Sequence, residues 1–98
     1  MFRYKSSLVE GALLPSVLRD LIQIQLAITD SPELRTARAS VETEPAAAQR
    51  AWVGTVCDRA GVKRANSVSA VKATRDACPQ LSLADAVVIV RSAFGDNR

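Results

Sequence analysis

Ninety-eight residues bound the protein to a single small domain, residues 1–98, with one modest core. No histidine occurs, which removes the commonest general base and metal ligand. The net charge is +3, and it is uneven: residues 1–49 carry five basic and six acidic side chains, residues 50–98 eight and four. Such a surplus suits an acidic partner, protein or nucleic acid.

Phe2 and Tyr4 alternate with Arg3 and Lys5 as in a short edge strand. Ser6 to Leu14 is ambiguous, because Gly11 and Pro15 interrupt it. From Pro15 the pattern is helical. Val17, Leu21, Ile24 and Ile28 form one apolar line, and Leu14, Leu18, Ile22 and Leu26 form the next. This arc covers about half the circumference and predicts the central helix, although Ile22 to Leu26 also alternates with strand period. Gln25 falls within the arc and is expected to be buried and hydrogen-bonded, or to mark a face that is wet or meets another chain. The stretch Ala12–Ile28 is too short and too polar to span a bilayer, and residues 1–10 lack the apolar run of a signal peptide. Both points favour a cytoplasmic protein.

Asp30-Ser31-Pro32-Glu33 is a helix start: a capping serine, a proline at the first helical position and an acid near the positive helix end. Leu34, Ala37 and Val41 are the apolar line of the helix that follows. Thr43-Glu44-Pro45 repeats the start signal for a helix running to Ala60, where Gly61 should terminate it. Its apolar side holds Trp52, Val53, Val56, Cys57 and Ala60, and Gly54 permits a close contact. Val62 to Ala65 is a short basic connector or strand.

A fourth helix begins at Asn66 or Ser67 and is closed by Pro79. Ser82 and Asp85 resemble a capping box for a fifth, which Gly95 ends. On the fourth helix Lys72 and Arg75 share a face with Ser69 and Asp76, opposite Ala70, Val71, Ala73, Ala77 and Cys78. The fifth helix is apolar nearly all round and reads as core. The fold class is therefore mainly α: four or five short helices in one compact domain, with room for a minor N-terminal strand.

Chemistry finds little to work with. There is no glycine-rich phosphate loop, no serine has a histidine to activate it, and the acids fall at caps or on exposed faces. Cys57 and Cys78 have neither disulfide-framework nor zinc spacing and are expected to be small buried residues. No catalytic residue, metal or cofactor is expected. The candidate partner-binding residues are Lys63, Arg64, Ser69, Lys72, Arg75 and Arg91. A helix-turn-helix reader of DNA would need polar groups on its second helix, and this one offers only Asp85, Arg91 and Ser92.

The segment Val71-Lys72-Ala73-Thr74-Arg75, a turn, then Leu81-Ser82-Leu83-Ala84-Asp85-Ala86-Val87 ending Val90-Arg91-Ser92-Ala93 resembles the C-terminal domain of the bacterial ribosomal large-subunit stalk protein. The resemblance covers residues 68–94. It implies a helical hairpin that docks translation factors, with Lys72 and Arg75 at the family's basic positions. Ala84 and Val87 stand where that family has lysines, and Ser82 where it has a turn glycine. The partly apolar face this creates should be covered by the N-terminal helices or by another chain.

The expected function is a non-enzymatic protein-interaction module: a small basic adaptor or inhibitor of a larger machine. Its partner would be translation-factor-like, as the hairpin implies, or the chain would be a phage-type regulator of its host. The alternative is a nucleic-acid-binding protein using the basic patch. Self-association is compatible with either.

Overall fold

The computed structural model describes residues 8–9, 12–63 and 67–94. Among them are two two-residue strands and five helices: β1 (Leu8–Val9), β2 (Ala12–Leu13), α1 (Pro15–Ile28), α2 (Pro32–Ser40), α3 (Pro45–Ala60), α4 (Ser67–Ala77) and α5 (Leu83–Phe94). The strands pair antiparallel, Leu8 with Leu13 and Val9 with Ala12. The strand expected at Phe2 and Tyr4 lies outside the described residues. The pairing seen falls instead in the stretch that sequence left ambiguous. It is anchored on α3, where the buried Gln49 Oε1 accepts from the Leu13 N–H at 2.9 Å.

Local signals explain most helix ends. Pro15, Pro32 and Pro45 each sit in the first turn of a helix, where a missing N–H leaves no bond unmade. Ser31 Oγ accepts from Leu34 N at 3.2 Å and caps α2. Gly61 ends α3 with φ 72°. Its N–H donates to Asp58 O and that of Val62 to Cys57 O, a Schellman pair. Glu44 makes no side-chain cap, so the second start signal is only half used. The Thr43 hydroxyl instead donates to Ser40 O at 3.1 Å.

The central helix is α3, not α1. It packs against every other helix and against β2. Ala48, Gln49 and every residue from Ala51 to Cys57 are buried, although Ala60, expected on the apolar side, is exposed. The α3 residues show no clear apolar stripe because neighbours surround the helix on nearly all sides. On α1 the arc is only partly covered. Val17, Leu18, Leu21, Ile22 and Gln25 are buried, but Ile24 and Ile28 are 59% and 52% exposed. Cys57 and Cys78 are both buried. No helix among the described residues is long and apolar enough to cross a membrane.

Candidate docking groove

Helices α4 and α5 form a hairpin whose turn is held at several points. Cys78 N donates to Thr74 O and Leu81 N to Cys78 O. Ser82 Oγ accepts from Asp85 N at 3.1 Å, the capping contact expected from sequence. Arg75 Nε donates to Leu81 O at 3.3 Å, and Leu81 itself is buried.

The buried side of α4 is made of small residues, Ala70, Ala73, Thr74 and Cys78. The Thr74 hydroxyl donates to Ala70 O at 2.8 Å, so its burial leaves no polar group unpaired. Ala77, expected on the core side, is exposed, and Val71 is only half-buried. On α5, Ala86, Ile89, Val90 and Ala93 face the core. Arg50 Nε donates to Ala93 O at 3.1 Å and ties the last turn of α5 to α3.

These burial patterns turn a second stripe of each helix outward. Val68, Val71, Lys72, Arg75 and Asp76 on α4, Pro79 in the turn, and Leu83, Val87 and Arg91 on α5 line one groove of about 740 Å³. The α4 positions recur at helical spacing of three and four, and the α5 positions are four apart, so each stripe is one helix face. Val68 is 79% and Leu83 58% exposed. The face where Ala84 and Val87 replace the resembled family's lysines is thus not covered by the described N-terminal helices. Ala84 is exposed, Val87 half-buried, and Val88 exposed beside them.

Three of the six residues expected to bind a partner, Lys72, Arg75 and Arg91, meet at this groove. Lys72 Nζ lies 3.4 Å from Asp76 Oδ2 in an exposed pair one turn apart. Ser69 is half-buried and does not line the groove; Lys63 is exposed and lies outside it. Arg64 falls outside the described residues. Sequence reasoning marked only part of the groove's apolar wall, the partly apolar face at Ala84 and Val87. It set Val71 with the core and read Leu83 as a core residue of α5. The signal was present as Val68-x-x-Val71 and Leu83-x-x-x-Val87, but apolar residues on a helix read as core until the neighbours are known.

One acid also departs from expectation. Asp85 is buried, not solvated, and its Oδ2 has no hydrogen-bond partner among the described residues. The first turn of α5, with its positive helix end, is a favourable place for that charge.

The groove therefore offers a strip of aliphatic side chains edged by three cations and one carboxylate. It can desolvate an apolar side chain and pair with carboxylates beside it. No family model, curated protein or solved structure matches the chain.

Proposed function

We propose that this protein is a non-enzymatic interaction module that docks by the α4–α5 hairpin on an acidic surface of a larger protein machine. The observation that carries this reading is the juxtaposition in one groove of Val71, Leu83 and Val87 with Lys72, Arg75 and Arg91. Valine and leucine left bare beside cations supply the two things a docking face needs, apolar area and flanking charge. The likeness of residues 68–94 to the stalk-protein hairpin supports a translation-factor-like partner. The small size and basic charge equally fit a regulator of phage type acting on a host machine.

A nucleic-acid partner is the competing reading, and the groove disfavours it. Among the described residues no aromatic side chain lines it for base stacking, and the outward face of α5 is apolar where a major-groove reader shows polar groups.

Affinity capture with and without nuclease, repeated over a salt series, tests the proposal. A protein should be retained after nuclease treatment and lost with Val87→Asp, with only a shallow salt dependence. Capture that disappears with nuclease, or falls log-linearly and steeply with salt, overturns it in favour of phosphate binding.

A further inference from the structure

We infer that the α4–α5 groove receives one amphipathic helix of a partner protein, about two turns long at the contact, with carboxylates on both edges of an aliphatic stripe. This rests on the docking reading above and adds the shape and charge of what docks.

Length comes first. On α5 the lining runs from Leu83 to Arg91 and on α4 from Val68 to Asp76, eight residue-to-residue steps on each helix. At 1.5 Å per residue each wall is about 12 Å long, which matches two turns of a third helix. Shape comes next. Two packed helices present their side-chain rows as parallel ridges, and the furrow between them accepts a row from another helix.

The other modes of peptide recognition lack what they need. Strand addition requires a sheet edge with unpaired backbone groups, and both walls here are helices whose backbone groups are bonded internally. Polyproline segments dock on aromatic-lined grooves, and among the described residues no aromatic lines this one.

Charge selects among helices. Lys72 and Arg75 stand one turn apart on the α4 edge, with Asp76 beside Lys72, and Arg91 stands on the α5 edge at the open end of the hairpin, so the groove keeps a net positive charge. A complementary helix carries two carboxylates one turn apart on one flank and a third near one end of the other. Between them, aliphatic side chains at i, i+4 and i+7 reach Val71, Leu83 and Val87. A second copy of this chain is a poor occupant. Docked hairpin to hairpin it would oppose cations to cations. Its own bare helix face, Ile24 and Ile28 on α1, lies among Arg19 paired with Glu42, Asp20, Arg38 bonded to Gln23 and Arg59 bonded to Thr29, and so offers no net negative charge.

The test is selection of random displayed peptides of about 14 residues on the full folded chain, long enough for two turns plus flanks. Enriched peptides should show aliphatic residues at i, i+4 and i+7 with Asp or Glu on both flanks, and should gain helical circular dichroism when bound. Their affinity should fall about tenfold or more on Val87→Asp and on Lys72→Glu, provided each variant melts with the parent. Enriched peptides that alternate with period two, are proline-rich or basic, or bind both variants unchanged overturn the inference. If the protein partner is lost with Val87→Asp while the groove-directed peptides are not helical, the docking reading stands and this inference alone falls. If an oligonucleotide displaces the peptides and the captured partner alike, both fall.

Discussion

Arg75 and Leu81 are joined across the hairpin turn: the guanidinium Nε donates to the Leu81 carbonyl at 3.3 Å, and the Leu81 side chain is buried. Arg75 therefore has a structural duty as well as a place on the groove. Replacing it by alanine should cost about 1 kcal/mol, the ordinary net worth of such a bond. Lys72→Glu should change stability by no more than about 0.5 kcal/mol, because Lys72 makes only an exposed pair with Asp76. Urea unfolding of the two single variants separates them. Equal stabilities would mean the Arg75–Leu81 bond holds nothing, and a double charge reversal at 72 and 75 could then be read as a pure binding probe.

Val87 and Val90 are three residues apart on α5 and should respond oppositely to aspartate. Val90 is buried, so Val90→Asp places an unpaired charge in the core at a cost of several kcal/mol, comparable with the whole stability of a small domain. Unfolding or aggregation is the expected outcome. Val87 is half-buried on the groove, and Val87→Asp should leave the helical circular dichroism and the melting transition nearly intact. A folded Val90→Asp variant would mean that α5 is turned the other way.

Asp85 presents a buried carboxylate oxygen, Oδ2, that has no partner among the described residues. Asp85→Ala removes that desolvated oxygen, which favours the variant by about 1–3 kcal/mol, and loses a favourable charge in the first turn, worth about 0.3–1 kcal/mol. The Ser82 Oγ contact is to the Asp85 backbone N–H and survives the substitution. Thermal unfolding should show no loss of stability and a gain of up to about 2 kcal/mol. A loss of that size would show that the oxygen has a partner after all.

The helix starts at Ser31 and Glu44 make a matched pair. Ser31→Ala should cost about 1 kcal/mol by removing the bond to Leu34 N. Glu44 makes no cap, and Glu44→Asp shortens the side chain to one that can reach the second or third N–H of α3. A gain of about 0.5–1 kcal/mol is expected from chemical denaturation. No gain would show that the backbone at Glu44, with φ −137° and ψ 69°, does not suit a cap.

Helix ends were legible wherever the cause is local. Proline at a first turn, Ser31, Gly61 and Pro79 each act through their own backbone or through neighbours one turn away, so they appear in a linear string. The basic side of the site was legible for the same reason, since the spacing of Lys72 and Arg75 alone places them on one face. The strand pair at Leu8–Val9 and Ala12–Leu13 was not. Its anchor, the bond from Leu13 N to Gln49, joins residues thirty-six positions apart.

The residues themselves pointed to four or five amphipathic or apolar helices, most of their ends, and an excess of positive charge in the second half. Tertiary packing alone decided which apolar faces are spent. A helical period shows that a stripe seeks cover; it does not show how many neighbours arrive. Around α3 they arrive on nearly every side, so a helix with no clear stripe became the centre. Over Ile24 and Ile28 of α1, and over Leu83 and Val87 of α5, none of the described elements closes the face. A single small core has too few helices to cover every apolar stripe, and the stripe left bare on the hairpin is the one edged by Lys72, Arg75 and Arg91.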